Sequence, residues 1–194
     1  MTNKNMIISL SGGPGSGKST IAQMLADKFG WPRYYMGGLR REAAKKRGMT
    51  LAEYNKLGET DPQTDQEVDY YQRDLGKSED NFIIEGRTSW YFIPHSLKIY
   101  LDVEPEVGAK RVFGNLQRKN DRNEDSNLNN WQDVLASNKH RLESDGQRYK
   151  QYYDIDVYDQ KNYDFYLDTS NLSPAQVFQA VYEFAKTSLD KRKN

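Results

Sequence analysis

The sequence predicts the α/β class: a three-layer fold in which a parallel sheet lies between helices on both faces. Three observations predict it. Short apolar runs bounded by turn residues recur along the chain, as buried strands do. Segments with helical spacing of their apolar residues alternate with those runs, the pattern of a parallel sheet. The first run also passes straight into a glycine-crowded loop, SGGPGSGKST, and then a helix. The 194 residues suit a single domain, 1–194.

Met6 to Leu10 is an unbroken apolar run, read as a buried strand. From Lys18 to Phe29, the spacing of Ile21, Ala22, Leu25 and Phe29 predicts a helix that Gly30 stops and Pro32 follows. Arg33 to Met36 is a further short strand. Three short helices are then expected, in LRREAAKKRG, TLAEYNKLGE and TDQEVDYYQRDLGK. Thr50 with Glu53, and Thr64 with Glu67, have the spacing of a capping box. Their low apolar content marks them as a flap, about 37–80, inserted into the core. NFIIE (Asn81 to Glu85), LKIYLD (Leu97 to Asp102) and YDFYL (Tyr163 to Leu167) are further strands, and a closing helix runs from Ser173 to about Leu189. On the helix in NNWQDVLASNKHRLESDGQRYKQYY, Trp131, Leu135, Leu142 and Tyr149 share a face expected to pack on the core.

Composition excludes several functions. Lys+Arg and Asp+Glu stand at 28 each, so the chain carries no electrostatic footprint for duplex nucleic acid. There is no cysteine, which removes disulfides, thiolate zinc sites and cysteine nucleophiles, and two histidines are too few for a histidine metal centre. No segment has the length of a membrane span, and MIISL is too short for a signal peptide, so no membrane partner and a cytoplasmic location are expected.

The glycine loop carries the chemistry. Gly12-x-x-x-x-Gly17-Lys18-Ser19 is the P-loop pattern, and it sits between a readable strand and a readable helix. Gly12, Gly13, Gly15, Ser16 and Gly17 let successive N–H groups turn inward as an anion nest, and the helix start adds its positive dipole end. Lys18 reaches the outer phosphates of a nucleoside triphosphate. Ser19, followed by Thr20, offers Mg²⁺ a hydroxyl. The chain lacks an NKxD guanine motif and is small for a motor ATPase, so a small-molecule kinase fits better. Glu85-Gly86-Arg87 falls at the carboxyl end of a strand, where ligands bind. Arg87 suits a two-pronged grip on an acceptor phosphate, and Glu85 suits a water on Mg²⁺. Arg141, Asp145, Arg148 and Tyr152 share a second helix face that borders the apolar one and lines a cleft edge. The polar stretch carrying Arg111, Arg118 and Arg122 reads as a lid, about 114–130, whose closure brings arginines onto the transferring charge and expels water.

Taken in order, SGGPGSGKST, LRREAAKKRGMTLAEYNKLGETDPQTDQEVD, FIIEGR, RLESDGQRYKQYYDID and LDTSNLSP resemble the cytidylate kinases, particularly their short archaeal-type branch, over nearly the whole chain. The resemblance implies a five-stranded parallel sheet with a nucleoside-monophosphate flap and a lid. It implies direct phosphoryl transfer from ATP to CMP or dCMP with Mg²⁺, by a monomer whose partners are small-molecule nucleotides. It implies that Arg41 and Arg87 meet the acceptor phosphate and that Arg141, Asp145 and Arg148 hold the acceptor, with the acid on the ribose. Asp69 aligns with a flap acid, and Lys18, Arg87, Arg118 and Arg122 form the catalytic set. EGR stands where bacterial members have DGR, and Gly38 and Arg40 replace bulkier or acidic neighbours. Two alternatives stay open at this stage: another small P-loop kinase acting on AMP, UMP or a non-nucleotide, and a nucleotide-sensing module without turnover.

Overall fold

The computed structural model describes residues 5–118 and 127–191. One parallel sheet runs in the order β2-β3-β1-β4-β5, from β1 (Ile7–Gly12), β2 (Arg33–Tyr35), β3 (Phe82–Glu85), β4 (Leu97–Asp102) and β5 (Phe165–Asp168). Eight α-helices among the described residues cover it: α1 (Lys18–Phe29), α2 (Met36–Lys46), α3 (Leu51–Gly58), α4 (Gln63–Ser78), α5 (Ser89–Phe92), α6 (Pro105–Leu116), α7 (Trp131–Tyr153) and α8 (Pro174–Lys191).

The apolar runs became strands because both sheet faces are covered. Side chains alternate along a strand, so Ile8 and Leu10 of β1 pack with α1 and α8 through Leu25 and Val181. Ile7 faces the other way, among Met36, Leu75, Phe82 and Ile84. A strand buried on both faces shows no polar alternation, hence the continuous run in the sequence. Full burial of each such side chain contributes about 1.5–3 kcal/mol. β1 extends further than its apolar run, because Ser11 and Gly12 pair with Tyr100 and Leu101 of β4.

Three expectations are corrected. α4 has no capping box at Thr64: its N-cap is Pro62, and the Asp61 carboxylate accepts the Gln63 N–H at 3.0 Å instead. The Thr64 hydroxyl turns back to the Asp61 carbonyl at 2.9 Å. The capping box at Thr50 and Glu53 is present. α6 continues through Arg111 to Leu116, where the sequence suggested a polar loop, because Gly108, Ala109 and Val112 give it a buried side. The apolar stripe of α7 does not pack on the main core. Trp131 and Leu135 sit against Ala109 and Val112 of α6, and Tyr149 packs with Trp90 and Val157. The adjoining stripe is the more deeply buried one at Asp145 and Arg148.

The sheet order places the site. After β1 the chain goes to the edge strand β2, returns inward to β3 beside β1, and then crosses to β4 and β5 on the other side. The crevice at the carboxyl end of β1 is therefore a switch point, the place where open α/β sheets bind ligands. No helix among the described residues is long and apolar enough to cross a membrane.

Candidate active site

The glycine loop occupies that crevice. Gly12 has φ +143°, and a Cβ there would stand 2.0 Å from the Leu101 carbonyl oxygen of β4. Gly15 has φ +80°, and a Cβ there would stand 2.2 Å from the Gly108 carbonyl oxygen of α6. Only glycine fits either backbone, so the loop lies pressed between β4 and α6. α1 starts at Lys18 with no side-chain cap on its first N–H groups. Exposed helix-start amides with their dipole are suited to an anion. The Lys18 ammonium donates to the Gly13 carbonyl at 2.6 Å and to Ser16 Oγ at 3.3 Å, so it arches over the loop it serves.

Ser19 Oγ donates to Glu85 Oε2 at 2.7 Å, joining the first turn of α1 to the end of β3. Arg33 Nε donates to the other oxygen, Oε1, at 2.7 Å. Glu85 is almost fully buried and has Arg33 as its counter-ion. The sequence reading missed Arg33. Its signal was positional: Arg33 pairs in register with Ile83, two residues before Glu85 on the adjacent parallel strand.

A chain of alternating charges runs inward from the crevice wall. Arg40 of α2 donates to Asp65 Oδ1 at 2.6 Å, and Arg148 of α7 donates to Asp65 Oδ2 at 2.9 Å. Arg148 also donates to Asp145 Oδ1 at 2.7 Å and to Ser144 Oγ at 2.9 Å. Asp145 Oδ2 forms an ion pair with Arg87 Nε at 2.6 Å. Burial opposes charge on Asp145, but Arg87 and Arg148 outweigh it and hold the carboxyl below its usual range. Asp145 and Arg148 therefore do not border the cavity as the stripe suggested. They lie beneath it, because Asp145 is held by Arg87 after β3 and by Arg148, and Arg148 is held by Asp65 of α4. Arg40 and Asp65, the other members of this chain, carried no motif and were missed.

Asp69 of α4 faces the cavity and is also buried. Its Oδ1 accepts from Gln72 Nε2 and from Thr88 Oγ, each at 2.7 Å, and its Oδ2 accepts from Tyr153 at 2.7 Å. Gln72 Nε2 also donates to Thr88 Oγ at 2.8 Å, while Ser89 Oγ donates to Gln72 Oε1 at 2.8 Å. Desolvation by burial raises the Asp69 pKa to about 6, against the opposing effect of the Tyr153 and Thr88 hydrogen bonds.

One cavity of about 510 Å³ collects these groups. The loop from Gly15 to Thr20 borders it, as do Arg41, Asp69, Glu85, Arg87, Arg118 and Arg141. Arg111, from the end of α6 that was read as lid, also borders it, with donors at 2.8 Å from the Thr169 carbonyl and 3.1 Å from the Ser170 carbonyl. Arg122 lies outside the described residues, as do residues 119–126 of the stretch expected to be a lid. The structure thus joins a phosphate nest, a hydroxyl–carboxylate pair and several arginines in one crevice.

Such a crevice on a parallel five-stranded sheet defines a P-loop kinase. The sequence model of a family described as AAA domain matches residues 11–132. The solved shikimate kinase of Bacteroides thetaiotaomicron shares the fold, with a TM-score of 0.61 at 14% identity, over 93% of this chain and 98% of that one. A cytidylate kinase of Natronomonas pharaonis is 39% identical over 93% of this chain and 88% of its own length. One of Methanococcoides burtonii is 36% identical over 85% of this chain and 88% of its own length. The chain belongs to the cytidylate kinase family.

Proposed function

We propose that the chain transfers the γ-phosphoryl group of ATP to CMP or dCMP, giving ADP and CDP or dCDP by direct in-line displacement. One observation carries this reading: a single cavity is bordered both by the P-loop and by Arg41, Arg87 and Arg141. A triphosphate and a second anion therefore have adjoining seats, and the names of the relatives supply the acceptor. An oxygen of the CMP phosphate attacks the γ-phosphorus as the bond to the ADP oxygen breaks. The attacking oxygen is already ionised, so no general base is needed, and catalysis consists of positioning and charge neutralisation.

The loop amides and Lys18 hold the donor phosphates. Arg41 and Arg87 hold the acceptor phosphate, with Asp145 and Arg148 fixing Arg87 from beneath. Helices α2 to α4 serve as the acceptor flap, and Arg118 approaches from the lid side. The Ser19 hydroxyl and Glu85 carboxylate are hard oxygen donors at the loop, the kind of set that holds Mg²⁺ together with substrate phosphates. Ser19 and, through a water, Glu85 would hold the ion. The ion, when bound, neutralises charge on the donor phosphates.

Asp69 supports an amino-bearing base. The donor hydrogens of Thr88 and Gln72 are turned inward onto Asp69 and Thr88, and that of Tyr153 onto Asp69. What this patch offers an incoming base is a carboxylate acceptor, which suits the exocyclic amine of cytosine and opposes the carbonyl that uracil carries at the same place.

A panel of acceptors with ATP and Mg²⁺ tests the reading. CMP and dCMP are expected to be the efficient acceptors. Turnover of AMP, UMP or a sugar acid with none of CMP or dCMP would overturn it.

A further inference from the structure

The sequence turns from β2 into α2 through Tyr35-Met36-Gly37-Gly38, an unusual place for two glycines. Both fall in the first turn of α2, and glycine is the poorest helix former after proline. Neither has the positive φ that would require glycine there. The reason for them is spatial. A Cβ on Gly37 would stand 2.8 Å from Tyr35 Cε2, and one on Gly38 would stand 2.7 Å from Tyr35 Cδ1. The two glycines form a flat seat on which the Tyr35 ring lies.

That ring is placed between two parts of the site. Arg33 and Tyr35 are two residues apart on β2, so their side chains leave the same face of the strand. The Arg33 guanidinium lies over the ring, 5.5 Å from its centroid, while its Nε holds Glu85. The Arg41 guanidinium also lies over the ring, at 5.7 Å, and Arg41 Nη1 donates both to the Tyr35 hydroxyl and to the Gly37 carbonyl, the latter at 3.1 Å. A continuous series of contacts thus runs Ser19, Glu85, Arg33, Tyr35, Arg41. At one end stands the hydroxyl–carboxylate pair beside the P-loop. At the other stands an arginine facing the cavity. The negative face of a tyrosine ring attracts both cations and lets two guanidinium groups approach one another.

We infer that Tyr35, seated on Gly37 and Gly38, is a positioning residue that sets Arg41 for the acceptor phosphate relative to the Ser19–Glu85 pair. This rests on the reading of Arg41 and of that pair given above. Tyr35 makes no chemical step. It fixes the spacing between the donor's metal side and the acceptor's phosphate.

The test is a double-mutant cycle on Tyr35 and Gly38, read by steady-state kinetics with CMP, ATP and Mg²⁺. Tyr35→Leu removes ring and hydroxyl and is expected to raise KM for CMP about tenfold, with KM for ATP within about twofold. Tyr35→Phe keeps the ring and restores part of the loss. Gly38→Ala is a better helix former, so it should fold at least as well as the wild type. It displaces the ring and is expected to raise KM for CMP in the Tyr35 background but not in the Tyr35→Leu background. A Gly38→Ala effect of equal size in both backgrounds, or an unchanged KM for CMP in Tyr35→Leu, overturns the inference while leaving the kinase reading intact. Absence of CMP turnover by the wild type overturns the kinase reading, and the inference falls with it.

Discussion

Arg87 Nε and Asp145 Oδ2 stand 2.6 Å apart, an ion pair that fastens the loop after β3 to the middle of α7. Both side chains are largely buried, and Asp145 holds Arg148 with its second oxygen. One carboxylate therefore orients an arginine that borders the cavity and neutralises another that does not.

Asp145→Asn leaves two buried guanidinium groups short of an anion. A loss of about 3–5 kcal/mol in unfolding free energy at neutral pH is expected, together with a raised KM for CMP. Chemical denaturation and CMP kinetics measure the two effects. The pH dependence follows from the sign of the shift. Asp145 has a depressed pKa, so its contribution is complete above the ordinary carboxylate pKa of 3.8 and is lost as pH falls through its folded value. Acid titration of stability in the wild type should show that loss below pH about 4, and Asp145→Asn should show less of it.

Lys18→Ala is expected to lower kcat by about 10³-fold, in line with removal of a group that stabilises transferring charge. Lys18 is half-buried and spends its ammonium on the glycine loop, so the melting temperature should stay close to that of the wild type. Normal turnover by this variant would contradict the role given to the loop.

If Asp69 receives the base as proposed, the choice of base depends on pH. Its raised pKa, about 6, makes it an ionised acceptor at pH 7.5 and increasingly a donor below that value. The charged neighbours of that carboxyl are Asp65, which raises its pKa, and Arg40, which lowers it. The ratio of kcat/KM for CMP over UMP should fall as pH drops through about 6. The ratio is the right readout because both substrates carry the same titrating phosphate. Asp69→Asn presents an amide donor to the base, so its ratio should be lower by about tenfold or more and independent of pH. A ratio flat with pH in the wild type would remove Asp69 from base recognition.

Glu85→Gln retains the shape of the Ser19 partner and removes its charge, leaving Arg33 without a counter-ion. The Mg²⁺ concentration for half-maximal rate should rise severalfold, and the saturated rate should fall. Activity measured against free Mg²⁺ at fixed ATP checks this.

Residues that act through local pattern were legible in the sequence. The P-loop reveals itself because glycine, lysine and hydroxyl positions are fixed by a short backbone path. β1, β3 and β4 were found because burial on two faces writes a nearly continuous apolar run, although polarity hid Ser11 and Gly12 at the end of β1; the half-exposed β2 and β5 showed only as short aromatic stretches. Helices α2 to α4 were visible through spacing and through the cap at Thr50. Partners that meet only in three dimensions were not legible. Arg33 reaches Glu85, Arg40 reaches Asp65, and Tyr153 reaches Asp69 across 52, 25 and 84 residues, and no periodicity encodes such meetings. Arg148 was read as a substrate contact because its helix face was right. Its burial depends on Asp65, which lies on another helix. α6 escaped notice because its buried side consists mainly of Gly108, Ala109 and Val112, too small to give a strong apolar signal.

The central claim is that the P-loop and an arginine-lined pocket hold a triphosphate and a second phosphate in one continuous crevice. Calorimetry with a bisubstrate analogue, in which a polyphosphate joins adenosine to cytidine, tests it most directly in the presence of Mg²⁺. The account predicts one analogue per chain, bound at least tenfold more tightly than ATP or CMP alone, with Lys18→Ala and Arg87→Ala each weakening it. Binding no tighter than that of ATP alone, and indifferent to Arg87, would contradict the account.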